Sequence, residues 1–312
     1  MNNILFITGG LILLILGGNW LLKSAVALSL RLNISKIIIG MTVVSFATSA
    51  PELIVSINAA IAGFPDLALG NVVGSNIANL GLVLAVIILL SRIEVRKSFY
   101  ITDWPMMMAA SLMFFGFIYF DGILGRYEGG IMFVFLFIFL VYLLRFQRTA
   151  IVDDLPDDDR PLPIYLSALY LMLGCGALWG GSELLVKGAV DLASLYGVSD
   201  RIIGITVVSV GTSIPELAAS VIAIIKKEKA ISVGNLLGSN IFNLLAVLGI
   251  TAMITPIEVK DQSLLSNDIF WMLGVSFLIL PLVFFPKGLR LGWRDGLVLI
   301  TVYLIFIFKT LN

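Results

Sequence analysis

Ten stretches of the chain are apolar for long enough to cross a hydrocarbon layer: near 4–22, 37–62, 67–91, 104–120, 129–144, 163–186, 201–225, 231–255, 268–286 and 292–308. A bilayer core about 30 Å thick needs about twenty helical residues to span it. A soluble fold would have to hide all ten stretches, yet only 13% of the 312 residues are charged while 59% are apolar. The reading is therefore an all-α polytopic membrane protein of ten transmembrane helices, with the lipid bilayer as its first partner. Net charge is zero, and the total says nothing about partners; no nucleic-acid partner is expected.

If the ten spans alternate, fifteen of the twenty Lys and Arg residues fall in the loops after odd-numbered spans or within a few residues of them: Lys23, Arg31, Lys36, Arg92, Arg96, Lys97, Arg145, Arg148, Arg160, Lys226, Lys227, Lys229, Lys287, Arg290 and Arg294. Basic loops stay in the cytoplasm. Both termini are then extracytoplasmic, and the membrane is the plasma (inner) membrane. The first span has no basic leader and no small-residue cleavage site after it, so it reads as a retained helix. The single cysteine, Cys175, lies within a span and is expected to act as a small buried apolar residue. The chain has no histidine, which removes the usual ligands for zinc or copper.

The chain also repeats itself. Shifted by 164 residues without gaps, positions 40–85 match 204–249 at 23 of 46 places. Two blocks carry the match: GMTVVSFATSAPEL against GITVVSVGTSIPEL, and GNVVGSNIANL against GNLLGSNIFNL. A weaker echo, GGNWLL against GGSELL, links spans 1 and 6. The organisation is a first five-helix repeat over 1–145, an acidic cytoplasmic linker over 146–162 and a second five-helix repeat over 163–312. Five is odd, so the second copy must insert upside down. Inverted repeats with a substrate site near mid-membrane are the build of secondary transporters. The linker's Asp153, Asp154, Asp157, Asp158 and Asp159 lack the spacing and turn glycine of a calcium-binding loop and read as a solvated connector.

Each copy of the first block sets a proline and a glutamate inside an apolar span. Pro51 and Pro215 lack an N–H and clash with the carbonyls of Ala47 and Gly211, so the helix must break or kink. At membrane depth such a break is tolerated only where it is buried in protein or lines a polar cavity. Thr48 and Ser49, or Thr212 and Ser213, precede the proline, and Glu52 or Glu216 follows it. A carboxylate at mid-membrane costs at least about 2.5 kcal/mol, which marks it as functional. No Lys or Arg lies at comparable depth to neutralise these two. A mobile cation must do so.

The second block adds Ser75 and Asn79 four residues apart on one helix face, and its copy adds Ser239 and Asn243. Asn76 and Asn240 fall off that face, and Asn71 and Asn235 sit near the start of the span. Capping or interhelical hydrogen bonding is the reading for these four. The two copies together supply carboxylates, amide oxygens, hydroxyls and freed carbonyls. These are hard oxygen donors, suited to Ca²⁺ and chemically also to Na⁺, and less suited to Mg²⁺ with its strict octahedron.

In these motifs, ATSAPEL with GSNIAN and GTSIPEL with GSNIFN, and over nearly the whole chain, the sequence resembles the sodium/calcium exchanger family of the cation/calcium antiporter superfamily. The resemblance implies a secondary antiporter that exchanges Na⁺ for Ca²⁺ by alternating access and exports calcium. It also implies a central set of ligands in Glu52, Asn79, Glu216 and Asn243. Thr48, Ser49, Ser75, Thr212, Ser213 and Ser239 would complete the ion sites, with the carbonyls of Ser45 and Ser209. Spans 1 and 6 would slide against the rest. One departure stands out: parts of the family carry Asp where this chain has Asn243, so potassium coupling is not implied. The large cytoplasmic calcium-sensing insertion of animal exchangers is absent.

A second transporter reading and one of a different class, a channel, compete. In a H⁺/Ca²⁺ antiporter the two glutamates would take protons, but protons need no hydroxyl ligands, and the breaks are rich in them. A cation channel would use the glutamates as a selectivity pair, which the inverted repeat argues against. An enzyme is not expected, for want of a Ser–His pair, a cysteine nucleophile or a metal-binding histidine. No cofactor is expected beyond the transported ions, and the chain is expected to work as a monomer. The charge bias makes a direct prediction: a reporter fused after Asn312 reads as extracytoplasmic, and a cysteine in place of Asp157 is labelled only from the cytoplasm. Labelling from the opposite face rejects the orientation.

Overall fold

The computed structural model describes residues 2–146, 162–196, 211–285 and 288–311. Ser209, the start of the seventh apolar stretch and the aspartates of the acidic linker lie outside the described residues. Almost everything else is helix. In chain order the helices are α1 (Asn2–Leu32), α2 (Lys36–Ile39), α3 (Ser45–Thr48), α4 (Ala50–Ile61), α5 (Pro65–Ala78), α6 (Leu84–Leu90), α7 (Trp104–Tyr119), α8 (Arg126–Phe146), α9 (Ile164–Leu195), α10 (Ile214–Ile225), α11 (Lys229–Phe242), α12 (Gly249–Ile254), α13 (Ile269–Phe284) and α14 (Trp293–Leu311).

Seven of the described helical runs are long and apolar enough to cross a membrane, and the bent run from Lys36 to Ile61 makes an eighth. The apolar α10 and the 19-residue α14 occupy two more of the expected stretches. Observed helices overrun the apolar stretches in places. The first stretch ends at residue 22, but α1 continues to Leu32, because Lys23 and the residues beyond it favour helix as well as the apolar run does.

Short π-helical segments interrupt the helices at Gly40–Val44, Asn79–Val83, Phe99–Asp103, Asn243–Leu248 and Leu264–Asp268. The duplication read from the sequence is visible in these elements. α4 and α10 are both twelve residues long, and α5 and α11 both fourteen. A π-helical segment begins at Asn79 in one copy and at Asn243 in the other. Four two-residue strands, β1 (Ile93–Glu94), β2 (Ile123–Leu124), β3 (Ile257–Glu258) and β4 (Arg290–Leu291), add two antiparallel bridges, β1 with β4 and β2 with β3. Nothing in the apolar pattern foretold these.

The chain divides into two compact units, Met1–Thr48 with Phe139–Leu236, and Ser49–Ile138 with Leu237–Asn312. Each draws on both sequence halves, so packing and duplication follow different boundaries. In the first unit α1 and α9 lie together along glycines. A Cβ added at Gly17 would stand 2.8 Å from the Leu178 nitrogen, and one at Gly174 would stand 2.7 Å from the Leu21 nitrogen. Gly10 and Gly181 meet in the same way. Small residues allow this approach where lipid supplies no hydrophobic drive between helices. Leu14, Leu21, Leu178, Ala219 and Ile222 form the buried core around the seam, and Cys175, expected to be buried, is half-buried against it. Gly40 and Gly234 bring two further backbones of this unit into contact.

In the second unit Gly129 faces the backbone of Gly249, Gly296 faces the carbonyl of Ala85, and the Tyr303 ring covers Gly81. Trp104 donates its ring N–H to the carbonyl of Ser276 at 2.8 Å. The seam between α1 and α9 yields a test. Gly17→Leu forces the two backbones apart and lowers the stability of the purified protein by about 1–3 kcal/mol, as overpacked cores do. Gly9→Leu, at a glycine where an added Cβ meets nothing within 4 Å, leaves it unchanged. Thermal unfolding in detergent reads both, and equal melting points would refute the close-packed seam.

Candidate cation site

The two prolines do their work by starting helices. Pro51 and Pro215 each occupy the second position of α4 and α10, where a missing N–H costs no helical hydrogen bond. Ser49 and Ser213 precede those helices with nearly equal dihedrals, φ −84°, ψ 1° and φ −87°, ψ 2°. The run Lys36–Thr48 bends by 43° into Ala50–Ile61. Breaking the chain here places Glu52 and Glu216 in a first helical turn. Both side chains are 0% exposed.

The carbonyl that Pro215 strips of its donor belongs to Gly211, and it finds a new one. Ser182 on α9 donates its hydroxyl to it at 2.7 Å. In the same unit Thr48 donates to Asn235 Oδ1 at 3.1 Å, and Asn235 Nδ2 donates to Ser220 Oγ at 3.1 Å. Ser45 Oγ lies 2.8 Å from the Gly40 carbonyl and 2.9 Å from that of Asn235. Ser213 is buried, and its hydroxyl has no hydrogen-bond partner among the described residues; Thr212 is half-buried. The first unit thus carries Ser45, Thr48, Thr212, Ser213 and Glu216 of the expected set.

The second unit carries Ser49, Glu52, Ser75, Asn79, Ser239 and Asn243, all buried. Helix α4 packs against α5 and against the π-helical segment that opens with Asn243. Asn71 Nδ2 donates to Ser56 Oγ at 3.0 Å, repeating in this copy what Asn235 does with Ser220 in the other. Four asparagines then join crosswise. Asn79 Nδ2 donates to Asn240 Oδ1 at 3.2 Å, and Asn243 Nδ2 donates to Asn76 Oδ1 at 3.2 Å. Asn76 and Asn240 turn their own nitrogens toward the sulfurs of Met272 and Met107, each at 3.9 Å. After these bonds the Oδ1 atoms of Asn79 and Asn243 are buried with no hydrogen-bond partner among the described residues.

An apolar interior does not keep bare amide oxygens without reason, since each unsatisfied acceptor costs about 1–3 kcal/mol. Amide oxygens, hydroxyls and carboxylates together form the donor set of a hard cation. The reading of Asn71, Asn76, Asn235 and Asn240 as hydrogen-bonding residues agrees with these contacts. Sequence reasoning missed the roles of Ser182, Ser56 and Ser220. The repeated Ser56 and Ser220, each fifteen residues before a repeated Asn, were the available signal.

The model of the family described as "Sodium/calcium exchanger protein" matches residues 2–145 and 166–311. The putative antiporter CaxA of Alkalimonas amylolytica is 37% identical over 310 residues, covering 96% of each chain. The sodium/calcium exchanger MaX1 of Methanosarcina acetivorans is 31% identical over 346 residues, covering 98% of this chain and 97% of its own. Among solved structures, the sodium-calcium exchanger NCX_Mj soaked with zero Na⁺ and Ca²⁺ superposes with a TM-score of 0.83 at 26% identity, over 99% of both chains.

The bond to Gly211 gives an expectation of its own. Ser182→Ala leaves a buried carbonyl without its donor and destabilises the protein by about 1–3 kcal/mol. Ser182→Thr, which keeps the hydroxyl, restores most of that. Chemical denaturation of the purified variants measures it, and an Ala variant as stable as the parent refutes the assignment.

Proposed function

Because the chain belongs to the sodium/calcium exchanger family, we propose that it is a Na⁺/Ca²⁺ antiporter of ten membrane-spanning helices arranged as two inverted repeats, 1–145 and 163–312, joined by the acidic linker 146–162. It works by alternating access and exports calcium from the cytoplasm. Glu52, Asn79, Glu216 and Asn243 hold the transported ions, with Thr48, Ser49, Ser75, Thr212, Ser213 and Ser239 and the carbonyls of Ser45 and Ser209 as further oxygens. It acts as a monomer in the plasma membrane, with both termini outside.

The observation that supports this most is the pair of buried amide oxygens on Asn79 and Asn243, without a hydrogen-bond partner among the described residues. A nitrogen-bound amide with its oxygen left over suits a cation and not an anion. Two buried glutamates carry the charge that offsets the dehydration of Ca²⁺. Hydroxyls in every motif favour Na⁺ over H⁺ as the counter-ion.

Radiolabelled calcium uptake into proteoliposomes tests the reading. An outward Na⁺ gradient drives uptake, and an outward-directed proton gradient of equal size does not. Glu52→Gln or Glu216→Gln abolishes uptake while the protein stays folded. Uptake driven only by the pH gradient would make it a proton antiporter, and retained uptake in either variant would remove that glutamate from the site.

The charge count also sets the coupling. With only two carboxylates, three Na⁺ load the site to net +1, while one Ca²⁺ loads it to net 0. One positive charge then leaves the vesicle for each Ca²⁺ that enters, and the interior becomes negative. Valinomycin with K⁺ collapses that potential and accelerates uptake. Uptake indifferent to valinomycin would mean electroneutral exchange of two Na⁺.

A further inference from the structure

Asn76 and Asn240 stand outside the expected ligand set, yet they hold the side chains that present Asn79 and Asn243. An asparagine amide has two ends of nearly equal size, one an acceptor and one a donor. Turned over about its last torsion, Asn243 would point hydrogens where a cation needs an oxygen, and it would lose all value as a ligand. Nothing within Asn243 itself forbids this. What forbids it is Asn76, whose Oδ1 lies 3.2 Å from Asn243 Nδ2 and would meet another oxygen after the turn. Asn240 does the same for Asn79 at 3.2 Å.

The locks are locked in turn. Asn76 Nδ2 faces the backbone carbonyl of Asn240 at 3.3 Å and the Met272 sulfur at 3.9 Å, both of which only accept. Asn240 Nδ2 faces the Met107 sulfur at 3.9 Å. Each second-tier amide therefore has its nitrogen spoken for by acceptors and only its oxygen to offer. All four asparagines are at most 2% exposed, so water does not compete for these bonds.

We propose that Asn76 and Asn240 are positioning residues that fix the amide orientation of Asn243 and Asn79, so that oxygen and not nitrogen faces the transported cation. This rests on the cation-site reading above. It assigns the asparagine of each GSN triplet a role in selecting for cations, without direct contact to the ion.

A double-mutant cycle separates this from a merely structural role. Equilibrium binding of radiolabelled calcium to the full chain in detergent supplies the dissociation constant. Asn76→Leu frees Asn243 to turn over, and calcium binding weakens by about tenfold, the scale of one lost hydrogen bond to a charged partner. In an Asn243→Asp background both ends of the side chain are oxygens, and orientation no longer matters. There Asn76→Leu weakens binding by less than about threefold. An equal factor in both backgrounds overturns the proposal. The mirror cycle, Asn240→Leu with Asn79→Asp, reads the same quantity where Asn76→Leu does not accumulate. Asn243→Ala keeps the two failures apart. If it binds calcium like the parent, the cation-site reading fails; if it binds poorly while both cycle factors are equal, only the orientation lock fails.

Discussion

In a hydrocarbon layer a backbone carbonyl without a donor has no water to turn to, and the architecture of this chain follows from meeting that constraint where proline violates it. Each proline starts a helix, so its missing N–H falls among groups that a helix start leaves free anyway. The carbonyl of Gly211 is taken up by Ser182. A carboxylate placed directly after the proline then inherits the first turn of a helix. The same covalent defect therefore goes with the bend, the polar lining and the first-turn position of the glutamate.

Much of this was legible in the sequence. The helices follow from apolar runs, the break from Pro51 and Pro215, and the candidate donors from residues flanking them. What was not legible is tertiary. Asn79 and Asn240 are separated by 161 residues, and Asn76 and Asn243 by 167. No local pattern says which amide end faces which neighbour. The π-helical segments that begin at Asn79 and Asn243 were also invisible, since the apolar pattern runs through them without a break. The length of α1 was underestimated because hydropathy marks where lipid ends, and a helix held by its own hydrogen bonds and by α9 has no reason to end there.

Duplication and symmetry part company in detail. The Asn71–Ser56 and Asn235–Ser220 bonds are faithful copies, as are the dihedrals at Ser49 and Ser213. The ion pair between Lys36 and Glu228, at 2.8 Å, has no such copy, since Phe64 occupies the position 164 residues before Glu228. What is shared between the repeats clusters at the polar breaks.

The glycine seam joins two helices that are both longer than a bilayer is thick. α1 has 31 residues and α9 has 32, each well over 40 Å long at about 1.5 Å per residue. Against a core of about 30 Å such a helix leans or projects. Lys23 rests over the Tyr170 ring and Lys187 over the Phe6 ring, each cation cushioned by an aromatic side chain of the partner helix. With backbones in contact the two helices lean together as one beam. A thicker bilayer draws that beam upright and a thinner one lays it over, so lipid chain length acts on it as a mechanical load.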